Sequence, residues 1–372
     1  MALCKAEETL SQALTGFDFG GEIVGAVRYG KGHINDTFCV YTQNEEGDCV
    51  RYILQRINTN TFTDPDGLME NIVGVTDYLR SIIEKNGGDA ARETMTVLRT
   101  KEGKNFYRDS EGGCWRVYPF IEGTVCLQSV EKPEQFYESA KAFGHFQRLL
   151  SGYDASTLHE TIAKFHDTRN RFANFKKALD ADACGRAKDV QAEIDFVLAR
   201  EKDCAVLMDL LEAGKLPLRV THNDTKLNNI LMDKATGTGI CVIDLDTVMP
   251  GLALNDYGDS IRFGANHSAE DEKDLSKVNF DIELYEIYTK GFMEAAGDAL
   301  TPAEKEYLPW GAKLMTLECG IRFLTDYLEG DHYFRVHREG QNLDRCRTQF
   351  KLVSDMEQQW DDMKAVIDQY RK

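Results

Sequence analysis

The hydrophobic periodicity of this chain changes once, near residue 122, and that change limits the folds open to it. Upstream, the runs EIVGAVRYG, DTFCVYTQ, RYILQRIN, TMTVLRT and CWRVYPFIEG are short, β-rich and bounded by Gly-rich, acidic or polar turns. Such runs at close spacing mark antiparallel strands and hairpins. One stretch departs from the pattern: Leu68, Ile72, Val75, Leu79 and Ile82 recur at helical spacing after Asp64-Pro65, a helix start signal. Downstream the period lengthens, in amphipathic segments near 131–150, 159–179, 188–213, 269–297, 302–329 and 342–371. The expected architecture is α+β. A five-stranded antiparallel sheet with one helix forms an N-terminal lobe of residues 1–121, and a mainly helical C-terminal lobe covers 122–372.

Net charge narrows the partners. With 44 Lys and Arg against 62 Asp and Glu, the chain carries −18, which repels a phosphate backbone. Nucleic acid is therefore not an expected partner. The N-terminus lacks a basic segment followed by an apolar one, and no stretch reaches the roughly 18 to 20 apolar residues of a membrane span, so a cytoplasmic protein is expected. The ten cysteines follow no metal-ligand or disulfide framework and read as reduced thiols, with Cys241 a small buried hydrophobe.

A single β-like island interrupts the helical part, PLRVTHNDTKLNNILMD followed by GICVIDLDTVMPG, and most of the informative polar residues fall in it. His222-x-Asp224 precedes Asn229 by a fixed offset, and Asp244 and Asp246 follow about fifteen residues later. Phosphoryl transfer asks for this set. A carboxylate must meet the attacking hydroxyl, and an amide oxygen and a second carboxylate must hold Mg²⁺ on the nucleotide phosphates. Asp224 fits the first role and Asn229 with Asp244 the others, with Asp246 a competing ligand.

His222-Asn223-Asp224 with Lys226 and Asn229 resembles the catalytic loop of protein kinases and of aminoglycoside and choline kinases. RVYPFIEGT, YGKGHINDTF, residues 220–233 and 240–264, and GIRFLTDYLEGDHYF resemble more narrowly the N-acetylhexosamine 1-kinases of that superfamily, along nearly the whole chain. The resemblance implies a protein-kinase-like two-lobed fold. It also implies ATP and Mg²⁺ as cofactors, Asp224 as the base for a sugar hydroxyl, and an N-acetylhexosamine as acceptor. A kinase for choline, an amino alcohol or an aminoglycoside would share the catalytic residues and differ in the acceptor pocket. A protein kinase is disfavoured by the absence of D-F-G and A-P-E. A non-catalytic module would be expected to have lost one of the three polar residues.

The remaining candidates follow from position. Gly30 and Gly32 lie where a phosphate-covering loop needs close backbone approach, and His33 is placed to donate to a phosphate or the sugar. The third strand carries Gln55 and Arg56 where protein kinases have a lysine; alternation lets only one face the nucleotide, with Glu70 as the natural partner of a cation. Phe120, Ile121 and Glu122 occupy the hinge position for adenine. Asp256 and Asp259 read as structural N-cap residues of a following helix, and the resemblance implies that one of them braces the catalytic loop. Thr247 and, on a late helix, Arg322 with Tyr333 are candidates for the sugar. An internal pair of Arg322 with Asp326 or Glu318 is the plainer account of that arginine.

Overall fold

In the computed structural model, which describes residues 5–30 and 34–371, the chain opens with helix α1 (Lys5–Gly16) and strands β1 (Glu22–Arg28), β2 (Asp36–Gln43) and β3 (Cys49–Ile57). Helices α2 (Pro65–Lys85) and α3 (Ala90–Glu93) and strands β4 (Tyr107–Arg108) and β5 (Cys114–Pro119) follow. The five strands form one antiparallel sheet in the order β1-β2-β3-β5-β4. The fold is thus the expected mixture of an antiparallel N-terminal sheet and a mainly helical remainder.

Two details differ from the sequence reading. Residues 94–100 form no strand: Leu98 makes an isolated bridge to Val117 of the sheet and Thr100 one to Phe17 outside it, and β4 supplies the fifth strand. The unforeseen α1 covers the outer sheet face, where Ala13, Phe17 and Phe19 pack against Val40, Leu54, Trp115 and Val117. On the inner face lies α2, started by Asp64, whose carboxylate accepts from the Gly67 amide, and by Pro65. Its buried Leu68, Met69, Ile72, Val75 and Leu79 meet Tyr118 and the β island. Each such side chain contributes about 1.5–3 kcal/mol of burial, so α2 is fixed by packing.

Past the sheet come β6 (Thr124–Val125), α4 (Pro133–Leu149), α5 (Thr168–Ala181), α6 (Gln191–Leu198) and α7 (Val206–Glu212). Then follow β7 (Arg219–Thr221), β8 (Ile230–Asp233), β9 (Gly239–Val242), β10 (Met249–Gly251) and α8 (Ala253–Gly264). The chain ends in α9 (Ile282–Ala296), α10 (Pro302–Glu329), α11 (Gln341–Gln358) and α12 (Trp360–Tyr370). The island folds as two small ladders, β6-β8-β9 and β10-β7. The expected segments 188–213 and 342–371 each divide in two, and 159–179 and 269–297 begin late, at Thr168 and Ile282. The segment 302–329 is continuous because Thr301 and Glu304 form a capping box and Gly330, at φ 105°, ends it.

Helix α8 sets the site. It is buried on nearly every face and packs so tightly on α10 that a Cβ on Gly258 would lie 2.2 Å from the Gly311 carbonyl oxygen. Only glycine permits that approach. No helix among the described residues is long and apolar enough to cross a membrane. The nine cysteines among the described residues are free thiols.

Candidate active site

The island's polar residues converge on the turn after β7. His222 is fully buried between the Phe143 and Phe146 rings; its Nε2 donates to the Ile243 carbonyl at 2.9 Å, and its Nδ1 accepts the Asp224 amide at 3.2 Å. Asn223 takes a left-handed φ of 65° and donates its side-chain amide to the Thr247 carbonyl at 2.8 Å. These bonds throw Asp224 outward, half-buried, beside Lys226 at 2.6 Å. Burial works against the Lys226 charge, but the attraction of Asp224 outweighs it and keeps the ammonium above its usual range. Asn229 Nδ2 bonds the Asp224 backbone carbonyl at 2.8 Å and its carboxylate at 3.2 Å, so loop and amide form one unit.

The brace beneath this loop comes from α8. Asp256 and Asp259 lie inside that helix, which corrects their reading as N-cap residues: an all-round buried helix shows no amphipathic start to read. Asp256 accepts the His222 and Asn223 amides at 2.9 and 2.8 Å and the Gln147 side chain at 2.6 Å. Asp259 accepts the Thr225 amide at 3.0 Å and pairs with Arg262. Both carboxylates hold the loop from below. The Thr247 hydroxyl donates to the His222 carbonyl at 2.7 Å, a third tie on the same turn.

Asp244, at the left-handed φ of 61°, lies two residues past the end of β9. Burial, and after it the negative charges of Asp246 and Asp224, push its carboxyl up to about 6. Carboxylates that repel one another where Asp244 is open to solvent form a charge pattern that a divalent cation relieves. Among the described residues no three His, Cys, Asp or Glu side chains converge into a self-sufficient metal cage.

Asp246 has other partners. It is 4 % exposed, forms an ion pair with Arg116 and accepts the Asn35 side-chain amide at 2.6 Å. Arg116, 1 % exposed on β5, gives Nε and Nη2 to Gln55 Oε1 at 3.0 and 2.9 Å. Sequence reasoning missed Arg116. The signal was present, since a charge inside the apolar run CWRVYP has to find a partner. Gln55 pairs across the ladder with Arg116, whereas Arg56 pairs with Trp115 on the opposite face, its guanidinium 5.8 Å from that ring. Arg56 therefore leaves the site, and only Gln55 is carried forward. Glu70 bonds His159 at 2.7 Å on the surface and meets neither of them.

The other nominated residues lie at the edges. Gly30 has φ 79°, a conformation glycine favours, while Gly32 and His33 lie outside the described residues. Phe120 donates its amide to the Arg51 carbonyl and packs under that guanidinium at 3.8 Å. The Ile121 carbonyl accepts from Thr124, and the Glu122 carboxylate is taken up by Arg51 at 2.8 Å. On α10, Arg322 lies among Phe165, Tyr333 and Phe334 at 5.3–5.7 Å, with a contact of 3.3 Å to the Tyr333 hydroxyl. Its buried Nε has no partner among the described residues. The proposed pair with Asp326 does not form, because Asp326 accepts the amides of His332, Tyr333 and Phe334 and the Asn342 side chain. That carboxylate shapes the turn carrying Tyr333.

A family model for phosphotransferase enzymes matches residues 26–286, more than half of the chain and all of the loop just described. The chain belongs to the phosphotransferase enzyme family. Solved structures give this phosphotransferase-family chain its fold relatives. An aminoglycoside phosphotransferase from Alicyclobacillus acidocaldarius superposes with a TM-score of 0.62 at 13% identity, covering 99% of this chain and 98% of that one. An amicoumacin kinase in complex with AMP-PNP, Ca²⁺ and Ami gives 0.60 at 13%, covering 96% and 94%. A microcompartment-associated aminopropanol kinase gives 0.58 at 15%, covering 96% and 98%. At these identities the likeness is one of fold.

Proposed function

We propose that this chain transfers the γ-phosphoryl group of ATP to the anomeric hydroxyl of an N-acetylhexosamine. The observation that carries the transfer is the loop itself: Asp224 projecting beside Lys226, Asn229 tied to it, and the solvent-accessible Asp244 facing the negative charges of Asp246 and Asp224. In this reading the N-lobe, residues 1–121, covers the nucleotide, with Gly30 in the covering loop and Phe120, Ile121 and Glu122 along the adenine edge. The acceptor lies on the C-lobe, residues 122–372.

Asp224 accepts a hydrogen bond from the attacking hydroxyl and takes its proton as the bond to phosphorus forms, while ADP leaves with the electron pair. Lys226 pairs with that carboxylate at 2.6 Å, and the Asp256 brace keeps it aimed, so much of the acceleration is positioning. Asn229 and Asp244 would hold Mg²⁺, which neutralises charge developing on the phosphates. Asp246 is committed to Arg116 and Asn35, and it serves better as the partner that orients the Asp244 turn than as a ligand.

For the acceptor, the Arg322 guanidinium amid three aromatic rings supports a neutral, hydroxyl-rich molecule. Planar donors suit ring hydroxyls and an amide, and an aromatic face suits the C–H side of a pyranose. A fixed cation, with Arg171 close enough to feel it, disfavours choline, amino alcohols and aminoglycosides. The test is a coupled ADP-release assay with Mg-ATP against N-acetylglucosamine, N-acetylgalactosamine, galactose, choline and kanamycin, with phosphorus NMR of the product. An anomeric phosphate from an N-acetylhexosamine supports the reading. Turnover confined to choline or kanamycin keeps the loop chemistry and overturns the acceptor.

A further inference from the structure

His166, which the mechanism above does not use, sits between the acceptor wall and the catalytic loop. Its side chain is 7 % exposed in the segment before α5. Nδ1 lies 2.9 Å from Glu318 Oε1, and Nε2 lies 3.0 Å from the Asn223 carbonyl oxygen. A carbonyl oxygen only accepts. Glu318, 1 % exposed, also accepts the Thr168 hydroxyl at 2.8 Å. As a carboxylate it too only accepts. Two acceptors facing one imidazole leave a single assignment, a proton on each nitrogen.

The bonded partners give this cation its use. Asn223 immediately precedes Asp224, and its carbonyl belongs to the peptide plane from which Asp224 projects. The Asn223 amide is held by Asp256 and its side chain by Thr247 and Thr221, so His166 supplies the remaining tie on that residue. On the other side Glu318 stands one helical turn before Arg322 on α10. Phe165, one of the rings around Arg322, is the neighbour of His166, with ring centroids 4.3 Å apart. The charged groups around the imidazole are Glu318 and Arg322 on α10, Arg171 on α5, Asp259 and Arg262 on α8, and Asp224 and Lys226 on the loop.

We infer that His166, protonated on both ring nitrogens, is a positioning residue that ties the Asn223–Asp224 peptide to the acceptor wall through Glu318. It touches neither substrate; it sets where the Asp224 carboxylate stands relative to whatever Arg322 holds. The inference rests on the proposed function for its kinetic expression but not for its protonation.

Two measurements on the full chain test it. With ¹⁵N-labelled histidine, and His166→Asn to assign the signal, long-range proton–nitrogen spectra near neutral pH show ring protons on both His166 nitrogens. One protonated nitrogen overturns the inference whatever the acceptor is. In steady-state assays with Mg-ATP and N-acetylglucosamine, His166→Asn lowers kcat about 10- to 100-fold, the loss of one charge-assisted hydrogen bond, with the Mg-ATP KM within about twofold. His166→Gln, which keeps an N–H in reach of the Asn223 carbonyl, recovers part of kcat and serves as the comparison if the asparagine variant does not fold. An unchanged kcat, or a loss confined to nucleotide KM, overturns the inference. Wild-type protein inert toward every N-acetylhexosamine defeats the proposed function instead, and the spectra still decide this one.

Discussion

Arg116→Met is the most exacting stability test of the buried network. Arg116 and Asp246 are 1 % and 4 % exposed, and Arg116 also gives two N–H groups to Gln55. Removing the guanidinium leaves Asp246 as an uncompensated buried carboxylate, which typically costs about 3–5 kcal/mol. With about 2.1 cal/mol/K of unfolding entropy per residue, 372 residues give about 0.8 kcal/mol/K, so the expected fall in Tm is about 4–6 °C. The informative companion is Arg116→Met with Asp246→Leu. Replacing both charges by apolar groups of similar volume is often neutral, so the double variant should regain most of the loss. Calorimetry on the three proteins reads this directly. A single variant within about 1 °C of wild type, or a double variant no better than the single, would falsify the reading of Arg116 and Asp246 as a mutually dependent pair.

Four further outcomes are expected. Asp224→Asn should cut turnover by at least about 10²-fold while Mg-ATP binding, read by calorimetry, stays near wild type; normal turnover removes Asp224 from its role. Arg322→Ala should raise the acceptor KM about tenfold or more and leave the Mg-ATP KM within about twofold, and the reverse pattern would move the acceptor elsewhere. The raised carboxyl of Asp244, at about 6, means the folded state holds its proton over a range where the unfolded chain has lost it. Without metal, that group's contribution to stability therefore declines as pH rises from about 4 to 6. Mg²⁺ must displace the proton, so Mg-ATP affinity should rise across the same range, and a flat titration from pH 5 to about 7 would exclude Asp244 as ligand. Asp256→Ala strands the His222 and Asn223 amides and the Gln147 side chain, and at about 1–3 kcal/mol for each buried donor it should be among the most destabilising single changes in the chain.

How far the sequence could be read depended on whether each element showed water one side. The strands near 22–57 are β-rich runs bounded by turns, the helix after Asp64-Pro65 and the helix 302–329 carry capping residues, and all appear where expected. Helix α8 was hidden because Leu254, Tyr257 and Ile261 are buried together with Asn255, Asp256, Asp259 and Arg262, which erases any periodicity. The polar residues of the catalytic turn stood out by spacing. Arg116 did not, although its setting in an apolar strand is as telling as that of Arg322. What linked them, such as His166 to Asn223 across 57 positions and Glu318 to His166 across 152, depends on tertiary distances that local patterns do not encode.

The close contact of Gly258 with Gly311 has a consequence for what kinds of change the chain can survive. Gly311, Glu318 and Arg322 follow one another along a single stripe of α10, since seven and then four residues bring a 3.6-residue helix back to nearly the same side. The first touches α8, the second holds His166, and the third faces the aromatic wall. Between 311 and 318 the helix acts as a ruler whose length is counted in residues. Deleting one residue there would turn everything downstream by about 100° and draw it back about 1.5 Å, even if every remaining residue stayed helical. Exchanges of one side chain for another along that stretch alter local contacts; a change of length would put Glu318 and Arg322 out of register with the loop that α8 braces.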